Sequence, residues 1–189
     1  LNAYLAWGEK CLDRFNGMFA FAIWDKKERS LFLARDRLGI KPLYYCILGD
    51  VAIFASEIKS ILCWDRIKRA VNPRALDYYM TFRYNHLDET LFENINKLPP
   101  GCCLSVSVGE DGRIRPRMHQ YWDVGTQTCP MPAGSIEDAV AGKLKRSVIG
   151  QTVSDVPIGA LLSSGVDSNT IVGILAKGLK EKVNTFTVG

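Results

Sequence analysis

The segment LLSSGVDS, residues 161–168, joins an apolar run to a turn of serines and glycine. The run over 156–162 predicts a short buried strand that leads into this turn. Behind the turn, apolar residues recur at helical spacing and predict the buried face of a helix: Ile171, Val172, Leu175 and Leu179. A further apolar run over 184–188 predicts the next strand. Strand, helix and strand in this order are typical of a parallel βαβ unit, so an α/β parallel sheet is expected here.

The turn in this unit has the chemistry of an anion site. It lies where ligands bind in parallel sheets, and the N–H groups that open the following helix favour negative charge. Three serines add hydroxyl donors, and Gly165 lets the backbone approach a ligand closely. Asp167 would repel a bare phosphate, which indicates a divalent cation between the two. The Walker lysine is absent, and the strand and helix context favours a nucleotide phosphate over a serine-rich helix cap.

The N-terminal part of the chain predicts a meander of antiparallel strands. Residues 18–24 are apolar on both faces, which predicts a central strand covered on both sides. A return strand is predicted over 31–34, and a hairpin joins 40–45 to 51–55 across Gly49 and Asp50. Later elements are listed in chain order: a helix near 57–62, a helix capped by Asn72 with Pro73 at its first position, and a half-buried strand through Leu104, Val106 and Val108 that turns back near 110–112 toward Ile114.

The segment RDRLGIKPL, residues 35–43, is dense in charge and open to two interpretations. One is an anion site or a contact between domains. The other is a loop in which Asp36 accepts hydrogen bonds from nearby backbone and Gly39 supplies an unusual dihedral angle. We favour the second interpretation.

A linker and another helix are predicted before the βαβ unit. The stretch from Gly125 to Gly134 contains two prolines and little apolar content, as linkers do. A helix then begins after Ser135. Its apolar face comprises Ile136, Ala139, Val140, Leu144 and Val148.

Composition narrows the class of protein. The chain has 189 residues, 47% of them hydrophobic and 23% charged, as in globular proteins. No apolar run reaches the ~18 residues of a membrane span, and no signal peptide opens the chain. The net charge of +4 comes from scattered basic residues, so nucleic acid is not the expected partner. The six cysteines and two isolated histidines show no metal-ligand spacing, and reduced thiols in the cytoplasm are expected.

Several motifs resemble one family. The segment SSGVDS (163–168) resembles the pyrophosphate loop, Ser-Gly-Gly-x-Asp-Ser, of ATP pyrophosphatases. Across nearly the whole chain, the motif order is similar to that of glutamine-hydrolysing asparagine synthetases. The co-linear motifs are GMFAFAIWD (17–25), the segment 35–45, ASEIK (55–59), LPPG (98–101), YW (121–122) and DVPIG (155–159).

The resemblance implies a fold and a domain plan. Residues 1–123 are expected to form the C-terminal part of a class II glutamine amidotransferase domain, an antiparallel α+β half-domain of the N-terminal-nucleophile (Ntn) type. Residues 124–134 are expected to be a linker. Residues 135–189 are expected to begin an α/β parallel-sheet PP-loop ATP-pyrophosphatase domain. Because Leu1 and Gly189 fall within expected elements, the chain is interpreted as an internal piece of a longer protein.

The implied function is a carbon–nitrogen ligase reaction. ATP would adenylate the side chain of aspartate, and ammonia released from glutamine would pass through an internal tunnel and attack the β-aspartyl-AMP to give asparagine. Adenylation converts a poor leaving group into a good one, and exclusion of water protects the intermediate. The implied partners are glutamine, aspartate and ATP with Mg²⁺, with no nucleic acid or membrane. A homodimer is compatible with this, and the isolated piece is expected to be inactive.

The resemblance also implies site residues. Nucleotide binding is assigned to Ser163, Ser164, Gly165, Val166, Asp167 and Ser168, with Leu161 and Val188 at positions that contact the adenine nucleotide. Asp167 is assigned to Mg²⁺. Ser164 replaces the family's first glycine, and its side chain is expected to narrow the loop or disfavour a positive φ. No catalytic residue is assigned, because the cysteine nucleophile and glutamine-binding residues would precede Leu1 and the aspartate site would follow Gly189.

Three alternatives remain open. Related enzymes with the same two domains make other amides, such as β-lactam synthetases and cell-surface polysaccharide amidotransferases. A tRNA-modifying pyrophosphate-loop enzyme would leave the N-terminal meander unexplained. A binding or structural remnant without catalysis is the third alternative.

Overall fold

The computed structural model describes residues 1–125 and 135–188. It contains two compact units, Leu1–Gly125 and Thr126–Gly189. Most of the predicted linker, residues 126–134, lies outside the described residues. Within the described ranges, no helix combines the length and the apolar character that crossing a membrane requires.

The first unit is built from two antiparallel sheets and short helices. One sheet has the strand order β1-β2-β6-β7, and the other has the order β4-β3-β5. In chain order the elements are helix α1 (Asn2–Trp7), a 3₁₀ helix (Gly8–Arg14), β1 (Ala20–Asp25), β2 (Ser30–Arg35), β3 (Tyr44–Leu48), β4 (Val51–Ala55), α2 (Ile58–Ile61), α3 (Pro73–Phe82), β5 (Asn96–Lys97), β6 (Cys102–Val108) and β7 (Ile114–Gln120). The predicted antiparallel pairs β1–β2 and β3–β4 are confirmed. The prediction that they form one meander is wrong, because β2 pairs with β6 and β3 pairs with β5, in separate sheets. The first strand of the hairpin covers Tyr44–Leu48 instead of 40–45.

Local signals in the sequence placed the turns and caps of this unit correctly. The β3–β4 hairpin turns at Gly49, whose φ of 61° is a left-handed conformation that glycine adopts without strain. Asn72 caps α3, since its side chain accepts hydrogen bonds from the backbone N–H groups of Arg74 and Ala75. Pro73 stands at the first helical position, as predicted.

The prediction that residues 18–24 form a central strand is wrong. Among the described residues, β1 pairs with β2 alone and lies at the edge of its sheet, and Trp24 is 51% exposed. The strand that is covered on both faces is β2. Its Leu33 packs with Leu104 on one face, and its Phe32 packs with Cys11 and Leu12 on the other. An apolar pattern in the sequence indicates which faces of a strand are buried. It does not indicate which strands lie on either side of it in the sheet, because these can come from distant parts of the chain.

Four free cysteines are buried in this unit: Cys11, Cys46, Cys102 and Cys103. Cys103 is 1% exposed, and burial raises its pKa to about 11 from an ordinary value of 9.0. Reduced thiols were expected, and all the described cysteines are free. Cys129 lies outside the described residues.

The raised pKa of Cys103 predicts slow thiol chemistry and alkaline instability. At pH 8 the native thiol should react with iodoacetamide at least about 100-fold more slowly than in the urea-unfolded protein, since two pKa units lower the thiolate fraction ~100-fold. Because the folded pKa is the higher one, the stabilising effect is complete below pH 9.0 and is lost as the pH rises toward about 11. Alkylation mass spectrometry and urea unfolding at pH 8 and pH 10.5 check this. If a Cys103→Ala variant lost as much stability between pH 8 and pH 10.5 as the unmodified protein does, the loss would not come from Cys103 and the prediction would be contradicted.

The second unit has the predicted order of elements. It comprises α4 (Ile136–Gly150), β8 (Gly159–Leu161), α5 (Val166–Gly178) and β9 (Asn184–Phe186). Strands β8 and β9 pair in parallel, with Gly159 opposite Asn184 and Leu161 opposite Phe186. The parallel βαβ unit is confirmed. Helices α4 and α5 pack closely, because Gly178 lies against the Ile149 side chain with no room for a Cβ atom.

The strand before the loop is shorter and more exposed than predicted. It covers Gly159–Leu161 instead of 156–162, and Leu161 is 80% exposed. On the predicted helix face, Leu175 is 5% exposed whereas Ile171 is 42% exposed. Within the described part of the chain β8 has β9 as its single neighbour, so little material covers its faces.

Candidate phosphate-binding site

The serine-rich loop connects the end of β8 to the start of α5, at the carboxyl edge of the parallel strand pair. Two contacts fasten its first residue to the end of β9. The N–H of Leu162 donates to the carbonyl of Phe186 at 2.9 Å, and the hydroxyl of Thr187 donates to the carbonyl of Leu162 at 2.8 Å. The location is the one that parallel sheets use for ligands.

Ser163 and Ser168 form a hydroxyl pair across the loop. Their Oγ atoms lie 2.9 Å apart, and the N–H of Ser163 donates to the Ser168 hydroxyl at 3.2 Å. The Ser163 hydroxyl in turn accepts from the N–H of Gly165 at 3.2 Å. A hydroxyl has one proton to donate, so Ser168 can serve only one of its nearby acceptors at a time. The pair therefore stabilises the shape of the loop, and its hydroxyl groups can still form hydrogen bonds with a ligand.

The first turn of α5 presents backbone donors. The N–H of Asn169 makes the first helical bond, to the carbonyl of Gly165 at 3.2 Å. None of the hydrogen bonds found among the described residues uses the N–H groups of Val166, Asp167 or Ser168. Unsatisfied N–H groups and the positive end of the helix dipole both attract an anion.

Asp167 lies in this same first turn and is exposed. Within residues 1–125 and 135–188 its carboxylate has no hydrogen-bond or ion-pair partner, and no group of three or more metal-ligating side chains is present. The carboxylate is thus a free hard-oxygen ligand beside the anion-attracting N–H groups, a combination suited to a Mg²⁺-bound phosphate.

The structure brings the remaining predicted residues to the rim of the loop. Leu161, Val166 and Val188 are 80%, 81% and 95% exposed. Leu161 pairs with Phe186, which is itself 61% exposed, so the apolar side chains of the strand ends flank the loop. Exposed apolar surface next to polar donors is typical of sites that bind amphipathic ligands.

The expected backbone strain at Ser164 is absent. The described non-glycine residues with a positive φ are Arg29, Arg83 and Asn94, and Ser164 is not among them. Gly165 also has an ordinary φ of −72°. The expectation that a side chain at position 164 would conflict with a positive φ is therefore wrong, because the loop reaches α5 through extended backbone.

Two residues that fasten the loop were missed from the sequence. Asn169 donates through its Nδ2 atom to the carbonyls of Ser163 and Gly165, and Thr187 binds the carbonyl of Leu162. The available signal was their position: a polar amide directly after the loop motif, and a hydroxyl directly after the second strand. Thr187 meets its partner only when β9 pairs with β8, whereas Asn169 binds carbonyls of the loop directly before it.

The segment 35–43 forms a loop, as favoured from the sequence. The Asp36 carboxylate accepts hydrogen bonds from the N–H groups of Phe19 at 3.3 Å, Ile40 at 2.9 Å and Lys41 at 2.9 Å. Gly39 has a φ of 63°. Arg35 donates to three backbone carbonyls, those of Gly39, Lys41 and Leu98. The side chains of Arg35 and Asp36 therefore both form hydrogen bonds with backbone groups.

A model of the glutamine amidotransferase domain matches residues 1–122. The chain belongs to the glutamine amidotransferase domain family. An asparagine synthase model matches residues 139–189, which include the serine-rich loop.

Curated relatives agree with both matches. Asparagine synthetase [glutamine-hydrolyzing] 3 of Bacillus subtilis is 36% identical over 196 residues, covering 100% of this chain and 31% of that protein. A putative asparagine synthetase [glutamine-hydrolyzing] 2 of Methanocaldococcus jannaschii is 34% identical, covering 100% of this chain and 37% of that protein. The chain thus spans about a third of the length of these relatives. The resemblance to glutamine-hydrolysing asparagine synthetases is confirmed.

A solved structure also aligns with the chain. The glutamine phosphoribosylpyrophosphate amidotransferase of B. subtilis matches with a TM-score of 0.36 and 14% identity, covering 95% of this chain and 34% of that one.

Proposed function

We propose that the protein containing this chain is an ATP-dependent asparagine synthetase that takes ammonia from glutamine and joins it to aspartate through a β-aspartyl-AMP intermediate. Residues 1–123 would contribute to glutamine use and residues 135–189 to ATP use, joined by the linker 124–134. The observation that carries the proposal is the loop at the carboxyl edge of β8, with unsatisfied N–H groups and a free carboxylate in one helical turn.

The residues present suit the pyrophosphate of ATP. The N–H groups of Val166, Asp167 and Ser168 would bind phosphate oxygens, and the Ser163 and Ser168 hydroxyls would exchange bonds within their pair for bonds to the ligand. Ser164 and Gly165 lie exposed in the same loop and leave it open to the phosphates. Leu161 and Val188 would contact the adenine nucleotide through their exposed apolar surfaces.

Asp167 would hold Mg²⁺ together with the phosphates, since hard cations prefer oxygen ligands and often take only one or two from protein carboxylates. When bound, the cation supplies positive charge that offsets the charge of the phosphates. The role of this chain's own residues is then to bind and orient the pyrophosphate, so that its departure from the α-phosphorus is aligned with attack by the aspartate carboxylate.

The acceptor, the tunnel, cytoplasmic localisation and a homodimer stay predictions. The acceptor decides between asparagine synthesis and the formation of another amide. One relative has a name other than asparagine synthetase: Amidase chry2 of Gibberella zeae is 30% identical, covering 94% of this chain and 26% of that protein.

The complete protein should form AMP, pyrophosphate and asparagine from ATP, aspartate and either glutamine or ammonia. Chromatography with isotope-labelled aspartate measures the products. Omission of aspartate, as the control, should remove AMP formation. AMP formation with a different carboxylate acceptor, but none with aspartate, would favour the other amide-forming enzymes. Absence of AMP with every acceptor would contradict the proposal.

A further inference from the structure

Asn169 makes an unusual pair of contacts behind the phosphate loop. Its Nδ2 atom lies 3.0 Å from the carbonyl oxygen of Ser163 and 2.8 Å from that of Gly165. Both neighbours are acceptors, so the amide nitrogen and not the amide oxygen must face them. A primary amide carries two N–H donors on this atom and can serve both carbonyls at once.

These contacts help to fix the direction of two peptide planes. The Ser168 hydroxyl also lies 3.3 Å from the Ser163 carbonyl oxygen and 3.1 Å from that of Gly165, and the backbone N–H of Asn169 donates to the Gly165 carbonyl at 3.2 Å. The described backbone contains no cis peptide bond. In a trans peptide the carbonyl and the following N–H point in opposite directions. When Asn169 holds the carbonyls of Ser163 and Gly165 toward itself, the N–H groups of Ser164 and Val166 must point away from it. A rotation of either plane would instead turn a carbonyl oxygen toward the ligand and repel phosphate.

We propose that Asn169 is a positioning residue, which orients the Ser164 and Val166 N–H groups for pyrophosphate by binding the carbonyls behind them. The inference rests on the proposed use of this loop for ATP. The residue does not itself touch the ligand. Thr187 also holds a loop carbonyl, that of Leu162, but the N–H that follows it, on Ser163, donates to the Ser168 hydroxyl.

The chemistry of residue 169 distinguishes positioning from simple packing. Leucine has nearly the shape of asparagine but has no donor, and aspartate has its shape but presents two negative oxygens to two carbonyls. A packing role tolerates leucine, whereas a positioning role does not. Asn184 is a matched control, because it is an exposed asparagine of the same unit at the opposite end of the β8–β9 pair and makes no side-chain hydrogen bond among the described residues.

Titration calorimetry on the complete protein tests the inference, with Mg²⁺-pyrophosphate and Mg²⁺-ATP as probes. In Asn169→Leu the Kd for both probes should rise about tenfold, as expected for the loss of two hydrogen bonds that orient donors, and Asn169→Asp should raise it further. At saturating ATP, kcat should fall less than about threefold, since the groups that contact ATP remain. Asn184→Leu and Asn184→Asp should bind both probes as the unmodified protein does.

Several outcomes would contradict the positioning role of Asn169. Unchanged affinity in Asn169→Leu would overturn the positioning role and leave the proposed function intact, provided that the unmodified protein binds both probes. Equal weakening in the Asn184 variants would also overturn it. A fall in kcat without a rise in Kd would show that Asn169 does not orient the N–H groups that bind pyrophosphate, and would overturn the inference. If the unmodified protein binds neither probe and forms no AMP, the proposed function fails and the inference fails with it.

Discussion

Asp167→Ala should lower the rate of AMP formation by at least about 100-fold, which corresponds to roughly 2.7 kcal/mol of transition-state stabilisation. The carboxylate lies in the first turn of α5 beside N–H groups that attract phosphate. Without it, the Mg²⁺ that offsets the phosphate charge would lose its protein ligand. The AMP released from labelled ATP, measured with ammonia as the nitrogen source, gives the rate independently of glutamine hydrolysis.

Asp138→Ala is the matched control for this experiment. Asp138 is also an exposed carboxylate in the first turn of a helix, α4, so its removal reproduces the general effect on a helix dipole. We expect it to keep the AMP-forming rate within about twofold, because a dipole contact of ~0.3–1 kcal/mol at the surface is small. An Asp167→Ala rate equal to that of Asp138→Ala would remove Asp167 from the mechanism.

Asp36→Ala should destabilise the first unit by about 3–5 kcal/mol. Asp36 is 1% exposed, and its carboxylate binds the N–H groups of Phe19, Ile40 and Lys41. Alanine leaves these donors unsatisfied in a buried setting, at a cost of ~1–3 kcal/mol for each donor that water does not reach. Urea unfolding measures the loss, and hydrogen exchange at Ile40 and Lys41 reports it locally.

Two further substitutions sharpen this prediction. Asp36→Asn keeps one acceptor oxygen, and we expect that oxygen to serve Phe19 and Lys41, which share Oδ2, so that only the bond to Ile40 is lost at a cost of about 1–3 kcal/mol. Asp25→Ala removes an oxygen that accepts from Lys27 and Glu28 on an exposed turn, where water replaces it, and should cost under about 1 kcal/mol. Equal losses in Asp36→Ala and Asp25→Ala would show that burial of the Asp36 bonds contributes nothing.

The elements that the sequence predicted well are those set by local chemistry. The cap at Asn72, the turn at Gly49 and the bonds from Ile40 and Lys41 to Asp36 each depend on residues a few positions apart. The order strand, loop, helix, strand around residues 161–168 has the same origin, because a change of apolar period marks each element. The family resemblance rested on the same local motifs in their order.

The sequence failed where remote segments meet. It placed 18–24 at the centre of a sheet, whereas β2 occupies that position through its pairing with β6, about seventy residues later in the chain. The sequence also predicted a buried strand before the loop, where the structure shows Leu161 mostly exposed. Hydrophobicity indicates that a side chain can be buried, but the neighbours that bury it are chosen by tertiary packing.

The candidate site shows the same division. The sequence by itself determined the donors: the serines, the glycine and the carboxylate of Asp167 stand in a strand–loop–helix context that favours phosphate. Only the tertiary structure decided how the loop is held against the second strand, since Thr187 reaches the carbonyl of Leu162 only when β9 lies beside β8. The folded loop also shows how its own donors are aimed, because Asn169 binds the carbonyls of Ser163 and Gly165. The physical reason is that chemical type is carried by each residue, whereas the direction of a peptide plane is set by the partners that bind its two ends.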